Sequence, residues 1–234
     1  MSKATSAEWF SKSWNPISGR CPHKCLDNEG QQYCYMWRPG GIADRFEEKH
    51  DHPLWLNDGS GCTTDILNHP PKSGRVLVGS STDIWADEVP DHWLSKVLTR
   101  INPKFYPSNA LFFVLTKNPD RYKHIDFLPE NIWYGTTWDG TGKTKGNIDT
   151  IAELSHLGLN TFVSFEPLLT DPDKLDFYNT KIKWIIIGAD SRSGKPKPPK
   201  DWADGLIEEA RDVGAMVFVK DNYGYPEKIK EMPC

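Results

Sequence analysis

The stretch that decides the fold is 75-RVLVGSSTDIWADEVPDHWLSKVLTRI-101. It opens with a short apolar run at 75–79, which is typical of a buried strand, and passes through a polar turn. Asp91, directly after Pro90, is predicted to cap a helix. The helix is indicated by apolar residues that recur with a 3.6-residue period, namely Trp93, Leu94, Val97, Leu98 and Ile101.

The same strand-then-helix unit recurs along the chain. Further apolar runs predict strands at 110–115, 132–136, 161–165, 183–188 and 215–219. Helices are predicted at 147–157 and 201–213, and Gly158 and Gly214 follow them as left-handed C-caps. No G-x-G-x-x-G follows any strand, so a partial (β/α)6-type TIM-like barrel with mostly parallel strands fits better than a doubly wound sheet.

The amino-terminal part is less regular. The segment 14–19 is predicted to be extended and to lead into a cysteine-rich loop, and 31–38 is predicted to start a helix. Residues from about 39 to 74 are rich in Gly, Pro, Asp and His, which indicates an irregular insertion with one short helix near 41–49. We predict one domain over 1–234.

Composition narrows the class of protein. The 234 residues carry a net charge of −4 and are 38% hydrophobic, which indicates a soluble globular chain rather than a basic protein that coats nucleic acid. The amino terminus has no secretory apolar region, and no run reaches the ~18 apolar residues of a membrane span. We therefore expect a cytoplasmic protein without a membrane partner; the oligomeric state is not specified by the sequence.

Polar residues follow the predicted strands. Because the carboxyl ends of parallel strands meet at one edge, these residues predict a polar site there. They include Ser80, Asp83, Thr116, Lys117, Thr136, Ser164, Glu166 and Asp190.

Three of the five cysteines, Cys21, Cys25 and Cys34, lie close together with the spacing C-x3-C-x8-C. An odd number of cysteines excludes a fully disulfide-bonded monomer. The three thiols can hold an iron–sulfur cluster and leave one coordination position free, or they can hold zinc with His23, Cys62 or a distant residue as a fourth ligand. Unrelated thiols are the third alternative. Cys62 is interpreted as incidental, and Cys234 as a free C-terminal thiol available for interaction.

Several pieces of the chain, in one order, resemble a known family. They are WNPISGRC, YCYMW, VLVGSSTDIWADEVPDHW, FFVLTKNPDRY, NIWYGTT, FVSFEPLL, KWIIIGAD and VFVKDNYG. From about Trp14 to Gly224 the chain resembles the phage-associated Gp37/Gp68 family (DUF5131). That family is similar to radical S-adenosylmethionine (radical SAM) enzymes and, more distantly, to the spore photoproduct lyase group.

The cysteine pattern of radical SAM enzymes is C-x3-C-x-φ-C, where φ is aromatic. Here the first gap matches, and Tyr33 precedes Cys34 in the place of φ. The segment 27–30, DNEG, is interpreted as a turn-forming insertion into the second gap.

The resemblance implies a radical SAM enzyme. A [4Fe–4S] cluster held by Cys21, Cys25 and Cys34 would reductively cleave S-adenosylmethionine to a 5′-deoxyadenosyl radical, which abstracts hydrogen from an unidentified substrate. A nucleic acid or nucleotide is one candidate substrate class, and a flavodoxin or ferredoxin is the expected electron donor. The alternative function is a zinc-stabilised nucleic-acid-binding or processing protein without radical chemistry.

The resemblance also suggests roles for individual residues. Catalytic roles are expected for Glu166, Lys117 and Asp190. Cofactor contacts are expected for Tyr33, Tyr35, Ser80, Asp83, Thr116, Lys117, Thr136, Ser164 and Glu166.

Overall fold

A computed structural model of the chain describes residues 8–37, 53–61, 63–173 and 175–234. The helix expected near 41–49 and Cys62 lie outside these residues. The described chain is mixed α/β. None of its described helices has the length and apolar character that crossing a bilayer requires.

The elements follow one another in a regular order. The strands are β1 (Lys12–Trp14), β2 (Ile17–Ser18), β3 (Trp55–Leu56), β4 (Ser73–Val78), β5 (Asn109–Thr116), β6 (Ile132–Thr137), β7 (Asn160–Phe165), β8 (Trp184–Ile187) and β9 (Met216–Val219). The α-helices are α1 (Asp91–Ile101), α2 (Asn147–His156) and α3 (Lys200–Asp212), and Pro119–His124 is a 3-10 helix.

Seven strands form a sheet in the order β1-β4-β5-β6-β7-β8-β9, and the registers given by β1–β4, β4–β5, β7–β8 and β8–β9 are all parallel. Strands β2 and β3 pair separately and are antiparallel. The expected mostly parallel α/β class is thereby confirmed, whereas closure into a TIM-like barrel of six units stays a prediction.

The strands predicted from the apolar runs agree with β4 to β9 to within two residues at each end. The predicted left-handed glycines after α2 and α3 are also confirmed, with φ of 88° at Gly158 and 73° at Gly214. Two local predictions were wrong. Asp91 is the first residue of α1, while Pro90 is the N-cap and has no side-chain cap bond. Residues 31–37 form a bridge residue and a turn instead of a helix, whereas the segment 14–19 is extended as predicted and holds the end of β1 and all of β2.

The chain divides into two compact units. The first comprises 1–24 and 34–133, the second 25–33 and 134–234. In the first unit, β1, β4 and β5 pair in parallel. Helix α1 buries Leu94, Val97, Leu98 and Ile101, and the core contains the fully buried rings of Trp85, Phe112, Phe113 and Tyr122.

In the second unit, β7, β8 and β9 pair in parallel, α2 packs against β7, and α3 packs against β8 and β9. Two contacts identify the face that the helices cover. Asn147 of α2 donates a hydrogen bond of 3.0 Å to Thr136 Oγ1, and Phe165 packs on Phe177, whose amide bonds Glu209 of α3. Because strand side chains alternate, Ser164 lies on the opposite face of β7 from Phe165.

Candidate functional site

In the first unit, the Cys21 thiol lies beside the carboxyl end of β4. Its sulfur accepts a 3.5 Å hydrogen bond from the backbone N–H of Asp83. Burial raises the pKa of Cys21 to about 11, and the charges of Asp83 and Cys34 act in the same direction. The free thiol is therefore protonated at neutral pH, unlike a nucleophilic cysteine, whose pKa is lowered.

Asp83 organises the polar groups around Cys21. Its Oδ2 accepts hydrogen bonds from His23 Nε2 at 2.9 Å, Thr116 Oγ1 at 2.8 Å and the Lys117 amide at 3.0 Å. Burial acts to raise the pKa of Asp83, but the hydrogen bond and charge of His23, with the Lys117 and Thr116 bonds, hold it below its usual range. The same bond raises the pKa of His23. Three predicted site residues, Asp83, Thr116 and Lys117, are thus brought together.

Ser80 and Tyr35 also meet in this unit. The Tyr35 hydroxyl donates to the carbonyl of Ser80, and Ser80 Oγ bonds Asn15 Oδ1 at 3.2 Å. Tyr35 is 44% exposed. These contacts join the segment after Cys34 to the turn that follows β4.

In the second unit, the residues between Cys25 and Cys34 form a small hairpin. The Tyr33 amide donates a 3.1 Å hydrogen bond to the Cys25 carbonyl, and Leu26 and Gln32 form an antiparallel bridge. The Asp27 amide bonds the Gln31 carbonyl at 2.9 Å. The predicted turn-forming insertion is therefore a closed loop, and its two ends, Cys25 and Tyr33, lie side by side.

The hairpin, residues 25–33, is anchored at two places in its own unit. The Tyr33 hydroxyl donates to the buried carboxylate of Asp139, which follows β6 and also accepts bonds from Thr141 and Thr144. Asp27 bonds Arg192, in the loop after β8, through Arg192 Nη2 at 2.6 Å. Tyr33 therefore acts as an anchor of the hairpin in this structure, and its expected cofactor contact stays a prediction.

Asp190 is the partner of the same arginine. Its carboxylate accepts bonds from the Arg192 amide at 2.9 Å and from Arg192 Nε at 2.8 Å. The side chains of Asp27, Asp190 and Arg192 are each at most 12% exposed. The predicted catalytic residue Asp190 is thus part of a partly buried ion cluster. Sequence reasoning missed Arg192, although its position two residues beyond Asp190 was a signal.

Glu166 and Lys220 form an ion pair at the carboxyl ends of β7 and β9. The parallel registers align them in one row with Gly188, which lies between them. A Cβ at Gly188 would lie 3.1 Å from both Glu166 Cγ and Lys220 Cδ, so the glycine leaves room for the pair. Lys220 follows β9 directly, so the rule on strand ends selects it for the polar edge, although no individual role was predicted for it.

Ser164 and Thr136 have different surroundings. The hydroxyl of Ser164 is buried and has no hydrogen-bond partner, and the residue is 1% exposed. It shares a strand face with Glu166, two residues away. A buried hydroxyl without a partner is costly unless a ligand or water satisfies it. Thr136, by contrast, faces the helices and bonds Asn147.

In each unit, taken by itself, part of the cysteine loop contacts polar residues that follow a strand of the parallel sheet. These features define the class as a parallel α/β chain with a cysteine loop at its strand ends. The chain belongs to the DUF5131 family, described as proteins of unknown function, whose model matches residues 4–232. No curated protein and no solved structure matches the chain.

Proposed function

We propose that the chain is a radical SAM enzyme with a [4Fe–4S] cluster held by Cys21, Cys25 and Cys34, on a partial (β/α)6 TIM-like barrel. The observation that carries the proposal is the closed hairpin. Residues 26–32 form a closed excursion, so that Cys25 lies beside Tyr33, the residue that precedes Cys34 in the sequence. This closure supports the proposal that the nine-residue step from Cys25 to Cys34 takes the place of the short gap in the C-x3-C-x-φ-C pattern.

The fit to a cluster rests on the chemistry of the donors. Among the described residues, no three His, Cys, Asp or Glu side chains are grouped so that they could hold a metal ion. The donor set nevertheless suits iron and sulfide, because three thiols bind a cluster with one position open. The Asp83 N–H that bonds Cys21 is the kind of donor that tunes such sulfurs.

When bound, the cluster and S-adenosylmethionine would supply the electron and the 5′-deoxyadenosyl radical for hydrogen abstraction. The protein's own residues would bind and orient the cofactor and the substrate. Asp83 holds Thr116 and the Lys117 amide beside Cys21. In the second unit, the unsatisfied hydroxyl of Ser164 offers a donor, and the carboxylate of Glu166 offers an acceptor, for the hydroxyl groups of a cofactor or substrate.

The remaining parts of the proposal come from the family resemblance. A flavodoxin or ferredoxin would donate the electron in the cytoplasm, and a nucleic acid or nucleotide is the proposed substrate class. Lys117, Glu166 and Asp190 are proposed to contact the substrate or cofactor.

The test is anaerobic purification with iron and sulfide reconstitution. We expect a brown protein that contains iron and acid-labile sulfide, and we expect Cys21→Ala, Cys25→Ala and Cys34→Ala each to lower that content. Cys234→Ala is the matched control, because this thiol is exposed and outside the loop. After reduction with dithionite, the wild-type protein should release 5′-deoxyadenosine from S-adenosylmethionine. A colourless protein with the same metal content in all four variants would contradict the proposal.

One observation favours the zinc-stabilised alternative. His23 lies two residues from Cys21, and its ring bonds the Asp83 carboxylate at 2.9 Å. Carboxylate–histidine pairs commonly orient zinc ligands. Metal analysis of the protein purified without added iron decides between the two: one zinc per chain that is lost in His23→Ala would support this alternative.

A further inference from the structure

We propose that Arg192 is a positioning residue for the three-cysteine site: through Asp27 it holds the hairpin 25–33 in the closed form in which Cys25 lies beside Tyr33, the residue that precedes Cys34 in the sequence. The inference rests on the proposed function, since it concerns the metal site of that function. Arg192 is distant from the cysteines in sequence and would touch neither metal nor substrate.

The two carboxylate oxygens of Asp27 accept hydrogen bonds from different partners. Oδ1 accepts the amides of Glu29 at 3.0 Å and Gln31 at 2.8 Å, so it shapes the tip of the hairpin from within. Oδ2 accepts Arg192 Nη2 at 2.6 Å. Rotation of the Asp27 side chain would break both sets of bonds together, so the arginine fixes the conformation of the tip.

Arg192 is itself fixed to the sheet. Asp190, directly after β8, accepts three donors of Arg192, which include Nη2 at 2.5 Å. A planar guanidinium can bridge two carboxylates in one plane, whereas a lysine ammonium has no such fork. A continuous chain of charge-assisted bonds therefore runs from β8 through Asp190 and Arg192 to Asp27, two residues from Cys25.

The other end of the hairpin has an independent anchor. Tyr33 bonds Asp139, whose carboxylate also accepts the Thr141 amide at 2.9 Å and the hydroxyl groups of Thr141 and Thr144, both at 2.7 Å. Loss of Arg192 would therefore release the tip while Tyr33 stays attached. The hairpin would then open without unfolding of the unit.

The first measurement is amide hydrogen exchange of the metal-free protein. Lys195 Nζ lies 3.6 Å from Asp27 Oδ2 and could replace Arg192 in part, so both Arg192→Gln and Arg192→Gln/Lys195→Gln are used. We expect the amides of Glu29, Gln31 and Tyr33 to exchange at least about tenfold faster, since a buried carboxylate loses its partner. The control is Arg211→Gln, which breaks an exposed arginine–glutamate pair elsewhere in the same unit. Unchanged exchange in the double variant would overturn the proposal.

The second measurement is anaerobic titration with cobalt(II), whose thiolate charge-transfer absorbance reports how many cysteines bind. We expect three thiolates in the wild-type protein, and roughly 10–100-fold weaker binding with a reduced thiolate band in Arg192→Gln. Arg192→Lys should restore part of the affinity, and Arg211→Gln should match the wild type. Binding that is identical in wild type and Arg192→Gln would overturn the positioning role alone. A wild-type chain whose cysteines bind neither cobalt nor iron would overturn the proposed function and, with it, this role.

Discussion

At the scale of single residues, Gly135 in β6 leaves no room for a side chain against the core. A Cβ there would lie 2.2 Å from Cζ of Phe162, a fully buried ring that also packs on Trp184. Since the ring cannot move without disturbing the core, we expect Gly135→Ala to lower the free energy of unfolding by about 1–3 kcal/mol or more. Urea unfolding followed by circular dichroism measures this.

Gly205 in α3 is the matched control, because a Cβ at this helical position meets nothing within 4 Å. Gly205→Ala should raise the free energy of unfolding by about 0.4–1 kcal/mol, since alanine restricts the unfolded chain and favours the helix. Equal effects of the two substitutions would show that the contact at Phe162 does not limit the position.

At the scale of elements, the carboxyl-terminal segment is attached to the second unit through Glu231. Its carboxylate pairs with Arg211 of α3 and accepts the Val217 amide at 2.8 Å, and its carbonyl accepts Trp184 Nε1 at 3.0 Å. The bonds from Arg211 hold the pKa of Glu231 below its usual range, although burial opposes them. A lowered carboxyl pKa stabilises the fold above the unfolded-state value, and this contribution is lost as the pH falls through the folded value.

We therefore expect Glu231→Gln to lower stability at pH 7 by no more than about 1 kcal/mol, because the pair is partly exposed. The difference from the wild type should shrink below a pH of about 4.3, where the unfolded carboxyl becomes protonated. Unfolding measured from pH 3 to 7 tests this. A difference that grows as the pH falls would contradict the assigned sign.

Sequence reasoning located the elements whose signal is local. Strands such as β5 and β8 are continuous apolar runs, and α1 and α3 have a clear helical period. Strand β1 was not predicted because its three residues, Lys12–Trp14, include a charged and a polar side chain. The β2–β3 pair joins residues almost 40 positions apart, and pairing over such a distance leaves no mark in a local pattern.

For the candidate site, too, sequence reasoning located only the residues whose position depends on a local signal. The rule that polar residues gather at the ends of parallel strands found Asp83, Thr116 and Glu166, because it depends only on strand positions. It could not find the bond from Tyr33 to Asp139 or from Asp27 to Arg192, since both join residues more than 100 positions apart. It also included Thr136, whose side chain faces the helices because of strand alternation.

At the scale of the whole molecule, the charge distribution bears on the proposed nucleic-acid substrate. The chain has a net charge of −4, and the cations of the loop 192–200 already have partners within the chain. Arg192 and Lys195 pair with Asp27, Lys200 pairs with Asp204, and Lys197 bonds the Asn222 carbonyl. This loop is therefore poorly suited to bind phosphates.

We expect weak binding of unmodified double-stranded DNA, and little change in Lys195→Gln/Lys197→Gln, because these side chains serve the protein itself. Fluorescence anisotropy at two salt concentrations measures both. Tight binding that weakens steeply with salt and is lost in the double variant would contradict this expectation, since it would assign the phosphate contacts to the loop.

The closed hairpin has a consequence for how such chains are found and how they diverge. Residues 26–32 leave the cysteine loop after Cys25 and return to it at Tyr33, which lies beside Cys25. Their number can therefore change during evolution without separating Cys25 from Tyr33. Gly30, at the tip, has open space around it. Homologues with shorter or longer excursions at this point are therefore compatible with the same placement of Cys25 beside Tyr33, and a search that counts residues between cysteines would separate proteins that share it.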